Sequence, residues 1–187
     1  MNGELEKFYQ TRVSSGEHQA LLPSQKEGLA LKELGEKVRE KLDQIKDIEV
    51  KTNLELEVLD WLYNFVRRKI KRGRVFQLGE AIRQGQADCL GYVKIFQSVG
   101  RLFGLDMGVA EVIVDNAGRY VPHQVNILKL SNGKRRLIDL WYGSKDVNHR
   151  RMGVRIKEGN RWEVRDIDLN AFQAAEDIEG LSQECIT

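Results

Sequence analysis

The chain of 187 residues is long enough for one ordinary domain that buries about 70% of its unfolded surface. Its net charge of +2 arises from 30 basic and 28 acidic residues, so no overall field attracts nucleic acid or anionic lipid. No uncharged apolar run approaches the roughly 18 residues of a membrane helix, and the N-terminus lacks a basic segment followed by an apolar core. We therefore expect a cytoplasmic protein that contacts no membrane and for which nucleic acid is an unlikely partner.

Three segments show the three- and four-residue apolar spacing of amphipathic helices. The first follows Pro23-Ser24 and carries its stripe at Leu31, Leu34, Val38, Leu42 and Ile45. The second is predicted to begin at Asn53, an N-cap residue type, and to end before Gly73. The third begins at Cys89 with Asp88 as N-cap and stops near Gly104. The stretch 73–88, which several glycines punctuate, is interpreted as a link.

From Met107 onward the apolar pattern changes to that of β-strands, in runs at 107–114, 123–130, 135–142, 152–159 and 161–167. The dipeptide Asn132-Gly133 between two of these runs predicts a hairpin, and Glu158-Gly159-Asn160 predicts another. A short helix is expected in the tail from Ala171 onward. Helices followed by strands predict an α+β fold with a mostly antiparallel sheet.

Cys89 and Cys185 form no CxxC pair and no disulfide framework, so both are treated as free thiols, and Cys185 is given no role. The histidines at positions 18, 123 and 149 lie far apart without the short spacing of metal ligands. We therefore expect no metal site.

Cys89 has two interpretations. It is either a small buried residue on the helix face of Val93 and Phe96, or a nucleophile at the start of that helix. A nucleophile needs a pKa below the thiol value of about 8.5, which a helix N-terminus and a nearby imidazole both favour. A carboxylate on the far ring nitrogen would fix the tautomer of that imidazole. His123 and Asp139, on consecutive predicted strands, supply these groups in the order Cys, His, Asp.

This pattern resembles the transglutaminase-like core, a relative of the papain fold. The resemblance lies in "GQADCLGYVKIFQSVGRLFGL", "HQVNILKL" and "RRLIDLWYG" and covers roughly residues 76–141. It implies a papain-like core in which helices pack on the sheet. It also implies Cys89 as nucleophile, His123 as general base and acid, and Asp139 as the orienting carboxylate. The implied reaction is acyl transfer through a thioester: hydrolysis if water attacks, and crosslinking or amidation if an amine attacks.

On this resemblance, residues 1–187 form a single transglutaminase-like domain, with a helical N-terminal region at 1–75 and a catalytic core at 76–170. We expect a peptidase or amidase more than a crosslinking enzyme. Its substrate would be a peptide or another amide-containing molecule, and it would need no metal or organic cofactor. The family commonly has an aromatic residue where Gln124 follows the histidine and a proline where Leu140 follows the aspartate.

Other residues are candidates for the walls of the site. The backbone N–H of Cys89 and the side-chain amide of Gln84 or Gln86 could donate to the oxyanion that forms on the attacked carbonyl. Trp141 and Tyr142 are candidates for lining the cleft.

The hairpin register tests the pairing of His123 with Asp139. A two-residue Asn132-Gly133 turn would place Asp139 opposite Asn126. His123 lies an odd number of residues from Asn126, so it would then point to the other face of the sheet. The triad therefore predicts a bulge or a longer loop in this hairpin.

The run "RRKIKRGR" from Arg67 to Arg74 holds six basic residues and no acidic one. Cations at a helix C-terminus are favoured by the helix dipole, which is one interpretation. The other is a contact for an acidic partner. The alternative to an enzyme is thus a noncatalytic interaction module that binds an acidic partner through residues 67–74. Its binding should survive Cys89→Ala, and its thiol should be unreactive.

Overall fold

The computed structural model describes residues 25–147, 149–158 and 161–167. Its helices are α1 (Gln25–Gln44), α2 (Ile48–Lys69), α3 (Leu78–Gln84) and α4 (Cys89–Leu102). Its strands are β1 (Lys71–Arg72), β2 (Gln86–Ala87), β3 (Asp106–Val114), β4 (Tyr120–Lys129), β5 (Arg135–Asp139), β6 (Ser144–Lys145), β7 (Arg151–Glu158) and β8 (Arg161–Ile167). The expected tail helix from Ala171, the hairpin tip at Gly159 and Asn160, Cys185 and His18 lie outside the described residues.

Helices α1 and α2 bury the apolar stripes that their spacing predicts. In α1, Leu34, Val38 and Leu42 are all buried. Helix α2 begins at Ile48 because the Asp47 carboxylate accepts hydrogen bonds from the backbone N–H groups of Glu49 and Val50, at 2.9 and 3.0 Å. The predicted start at Asn53 was therefore wrong, whereas the end before Gly73 is confirmed.

Helices α3 and α4 lead into the candidate site. The stretch interpreted as a link contains α3, which ends at Gly85, a residue in the left-handed conformation with φ of 65°. Helix α4 begins at Cys89, and the Asp88 carboxylate accepts a hydrogen bond from the backbone N–H of Gly91 at 2.8 Å. The predicted N-cap at Asp88 is confirmed.

The main sheet has the strand order β6-β5-β4-β3-β7-β8 in the described part of the chain. All its neighbouring strands are antiparallel, so the predicted α+β class and mostly antiparallel sheet are confirmed. A separate parallel pair, β1 with β2, joins the end of α2 to the start of α4. The two-residue strands were not predicted because they are too short to show an alternating pattern.

The hairpin between β4 and β5 has a three-residue loop, as the triad required. Leu130 donates its backbone N–H to the carbonyl of Lys134 at 2.8 Å, and Gly133 donates to the carbonyl of Leu130 at 2.9 Å. Gly133 has φ of 80°, which suits the left-handed position at the end of such a loop. The register then pairs Asn126 with Ile138, so Asp139 is level with Val125 and shares a face with His123.

The two faces of the sheet pack into different clusters. The larger cluster lies between the helices and one sheet face, where Leu128 and Ile138 meet residues such as Phe96 of α4. Asn126 also faces α4, because its side-chain amide donates to the carbonyl of Val93 at 3.2 Å. The smaller cluster contains Ala110, Val112, Val125, Ile127 and Met152. Strand alternation therefore places His123 and Asp139 on the face of the smaller cluster.

No helix among the described residues is long and apolar enough to cross a membrane. The division into a helical region at 1–75 and a core at 76–170 stays a prediction, as does the papain-like arrangement of the core.

Candidate active site

His123 and Asp139 form a buried hydrogen-bonded pair. Nε2 of His123 lies 2.8 Å from Oδ2 of Asp139, and their side chains are only 4% and 1% exposed. His123 comes from β4 and Asp139 ends β5, so the hairpin register alone determines that the two side chains meet. Two of the three residues of the predicted triad are thus in direct contact.

The second ring nitrogen of His123 also faces an oxygen. Nδ1 lies 2.9 Å from the backbone carbonyl of Val121, which can only accept a hydrogen bond. Burial alone would lower the pKa of His123. The hydrogen bonds to Asp139 and Val121, with the nearby carboxylate charges, outweigh burial and raise the pKa above its usual value. The pocket therefore favours the imidazolium form.

The second carboxylate oxygen of Asp139 is held by the following turn. Oδ1 accepts a hydrogen bond from the backbone N–H of Tyr142 at 3.0 Å. The Tyr142 ring packs edge-on against the His123 ring, with 5.0 Å between centroids. Tyr142, a candidate for lining the cleft, therefore closes one side of the pair.

His149 joins this pair, which its position in the sequence did not predict. Its Nε2 lies 3.7 Å from Oδ2 of Asp139, and its ring centroid lies 5.7 Å from that of His123. The residue is 2% exposed, and neither ring nitrogen has a hydrogen-bond partner among the described residues. Burial lowers the pKa of His149, so the ring favours the neutral form. The fold alone brings His149 here, since it lies between β6 and β7 in the chain.

Cys89 occupies the predicted position but is not part of a contact triad. It is the first residue of α4, and its thiol is free and half-buried. No hydrogen bond or ion pair among the described residues joins it to His123 or Asp139. Helix α4 packs on the sheet face that carries Asn126 and Leu128, which is opposite to the face of the His123–Asp139 pair.

A row of contacts runs from the β1–β2 strand pair to His123. Arg72 pairs with Ala87, two residues before Cys89, and its guanidinium lies 5.0 Å from the Trp141 ring centroid and 5.9 Å from that of Tyr142. Arg72 also donates a hydrogen bond to the Trp141 carbonyl. Tyr142 in turn contacts His123. Trp141 and Tyr142 therefore connect Arg72 with His123.

The glutamines near the start of α4 are placed differently from one another. Gln84 donates its amide to the Glu80 carboxylate at 2.7 Å, and Gln86 lies against Gly73. Gln124 follows His123 on β4 and shares the sheet face of Asn126, which is the face toward α4. Its Oε1 is buried without a hydrogen-bond partner in the described part of the chain. Gln124 stands where transglutaminase-like sequences commonly have an aromatic residue. In this structure it lies on the sheet face that α4 covers.

Two arginines of the basic run 67–74 form hydrogen bonds with other parts of the protein. Arg67 donates to the Tyr63 hydroxyl at 3.2 Å and to the Gly143 carbonyl at 3.1 Å, while Arg72 binds Trp141. Both arginines thereby hold the turn that follows Asp139 against the end of α2. This structural role was not among the interpretations of the sequence.

Comparison with known proteins gives a weak similarity to a solved structure. No family model matches the chain, and no curated protein matches it. A solved structure described as "Crystal structure of a TGase" aligns with a TM-score of 0.32 and 16% identity. The alignment covers 74% of this chain and 37% of that one.

Proposed function

We propose that this chain performs cysteine-dependent acyl transfer or amide hydrolysis through a thioester, as a transglutaminase-like peptidase or amidase. The observation that carries the proposal is the buried contact of 2.8 Å between His123 and Asp139. It depends on a hairpin register that a two-residue turn would have excluded. One requirement of this chemistry is a carboxylate that orients the histidine. The other is a ring nitrogen that exchanges a proton with the thiol, so the proposal requires Nδ1 of His123 to leave the Val121 carbonyl in the reacting state.

Cys89 is the proposed nucleophile because it opens α4. The Asp88 carboxylate accepts a hydrogen bond from the backbone N–H of Gly91. The remaining N–H groups of the first turn favour an anion at this end of the helix. The thiolate would attack the amide carbonyl carbon, and the amine would leave with a proton from His123. Water or an amine, deprotonated by His123, would then break the thioester and release Cys89.

The proposed cleft follows the row Arg72, Trp141, Tyr142 and His123. Tyr142 is 39% exposed and lies against His123, so its ring would form one wall of this cleft beside the imidazole. The proposal requires His123 to reach Cys89 along this edge of the sheet. The side-chain donor to the oxyanion stays a prediction for Gln84 or Gln86.

The test is the alkylation rate of Cys89 by iodoacetamide in chelator-treated protein carrying Cys185→Ala, which leaves one thiol. Wild-type His123 should give a thiol that reacts at about pH 6 at least tenfold faster than an ordinary thiol with a pKa of about 8.5. His123→Ala should abolish that advantage. His149→Gln, which removes the neighbouring buried imidazole, is the matched control and should retain it. An ordinary thiol titration, identical in all three proteins, would refute the proposal.

The alternative remains a noncatalytic interaction module, and one observation favours it: α4 and the His123–Asp139 pair lie on opposite faces of the sheet. The basic run 67–74 would bind its acidic partner. Arg67 and Arg72 of this run also contact the turn after Asp139. Salt-sensitive binding of an acidic peptide that survives Cys89→Ala would support this function.

A further inference from the structure

Three buried side chains converge on one point beside β4. One ligand atom from each of His123, Asp139 and His149 lies within 4.8 Å of the others. The carboxylate oxygen Oδ2 is 2.8 Å from Nε2 of His123 and 3.7 Å from Nε2 of His149. Ligands about 2.1 Å from a tetrahedral zinc ion lie roughly 3.4 Å from one another. The spacing of these atoms is therefore within a small side-chain adjustment of a metal site.

The far atoms of two of these side chains are already held by the backbone. Nδ1 of His123 donates to the Val121 carbonyl, and Oδ1 of Asp139 accepts from the Tyr142 N–H. Metal-binding histidines nearly always donate their other ring N–H in this way, which fixes the tautomer with the lone pair on the inner nitrogen. The two side chains are thus oriented with Nε2 and Oδ2 turned inward.

The buried ring nitrogens of His149 give independent evidence that this site binds a ligand. Its ring is 2% exposed, and its nitrogens have no hydrogen-bond partner among the described residues. A buried polar group without a partner is costly, and most buried polar groups are satisfied. The inner nitrogen faces the Asp139 oxygen at 3.7 Å, which is too long for a hydrogen bond but leaves room for a shared ion.

We infer that His123, Asp139 and His149 bind one Zn²⁺ ion. Two imidazole nitrogens and one carboxylate oxygen form a ligand set that zinc accepts in a tetrahedral site. The ion would link β4, the end of β5 and the segment that leads into β7. On binding, the proton shared by His123 Nε2 and Asp139 is released to solvent, since the lone pair of that nitrogen goes to the metal.

Zinc binding has a consequence that rests on the proposed function. A zinc-bound His123 cannot accept a thiol proton, so Zn²⁺ should suppress any reactivity of Cys89 that depends on His123. Metal binding itself does not rest on the proposed function, because Cys89 is not among the ligands.

The experiment is calorimetric titration of the chelator-treated full chain with Zn²⁺, together with Co²⁺ as a spectroscopic probe. Wild type and His18→Ala should each bind one equivalent. His149→Ala should bind at least tenfold more weakly, since loss of a ligand should cost no less than loss of an outer partner, which costs about 10–100-fold. Co²⁺ should show tetrahedral absorption without sulfur-to-metal charge transfer.

Three results would overturn the inference. They are the absence of saturable binding by wild type, equal affinity in His149→Ala, and a thiolate charge-transfer band, which would place the ion on a cysteine. If His149→Ala fails to fold by circular dichroism, His149→Gln replaces it, and the wild-type titration remains decisive. Because the alkylation test uses chelator-treated protein, failure of the zinc site leaves the proposed function standing, and the reverse also holds.

Discussion

Glu55 of α2 receives two hydrogen bonds from Ser131 at the tip of the β4–β5 hairpin. The Ser131 backbone N–H donates to Oε2 at 2.8 Å, and its hydroxyl donates to Oε1 at 2.6 Å. Glu55 is buried, whereas the hairpin tip is exposed. A helical carboxylate therefore anchors the loop whose length determines that His123 and Asp139 meet.

Glu55→Ala should lower the free energy of unfolding by about 2 kcal/mol, because hydrogen bonds to a charged acceptor are lost at a buried position. Urea denaturation at neutral pH measures this. Glu36→Ala is the control: its ion pair with Lys32 spans 3.8 Å between side chains that are 53% and 64% exposed, and it should change stability by less than about 0.5 kcal/mol. Equal effects of the two substitutions would contradict the anchoring role.

Substitution by alanine should lower the free energy of unfolding at Gly133 and raise it at Gly79. Neither position would crowd an added Cβ, so only backbone conformation differs. Gly133→Ala places an L-residue at φ of 80° and should destabilise by about 1 kcal/mol. Gly79→Ala lies inside α3 and should stabilise by about 0.5–1 kcal/mol. Thermal denaturation followed by circular dichroism compares them, and a stabilising Gly133→Ala would show that the loop is built differently.

Arg72 should matter for the fold more than its neighbour Lys71. Arg72→Ala removes the hydrogen bond to the Trp141 carbonyl and the contacts with the Trp141 and Tyr142 rings, which should cost about 1 kcal/mol. Lys71→Ala, on an exposed residue, should change stability by less than about 0.5 kcal/mol. Tryptophan fluorescence during urea unfolding measures both. If Arg72→Ala does not change stability, these contacts do not stabilise the fold, and Arg72 counts among the candidates for contact with an acidic partner.

Features that depend on local sequence patterns could be predicted from the sequence, whereas features that depend on contacts between distant residues could not. Helix α4, its Asp88 cap and the long strands follow from local periodicity, and all are present in the structure. Asp47 and Asn53 are both N-cap types, and only the hydrogen bonds show that the helix begins at the earlier one. Helix α3 escaped prediction because seven residues are too few to show a helical period.

The site was predictable only where a hairpin determines it. His123 and Asp139 lie on neighbouring strands, so turn length and register suffice to predict their contact. His149 lies close to Asp139 because of how the chain folds after β5, and no periodic sequence pattern predicts that contact. The position of α4 relative to the two sheet faces depends on packing in the core. Alternation within β4 shows which residues share a face, but not which face the helix covers.

The two buried histidines should titrate on opposite sides of pH 6.5. The pKa of His123 is raised despite burial, because Asp139 and the Val121 carbonyl favour the imidazolium. The pKa of His149 is lowered, chiefly by burial, and its attraction to Asp139 does not compensate. Proton NMR of the ring signals in chelator-treated protein measures both. His123→Gln and His149→Gln assign the signals.

These shifts have opposite consequences for stability. His123 contributes stability that is fully present below its unfolded pKa of 6.5 and is lost as the pH rises through the raised folded value. His149 has no such effect above 6.5 and destabilises the fold as the pH falls toward its lowered value. Asp139→Asn removes the carboxylate charge, so the pKa of His123 should drop and the stability that its imidazolium contributes at low pH should be lost. A His123 signal that titrates unchanged in Asp139→Asn would show that the pair of 2.8 Å does not control the imidazole.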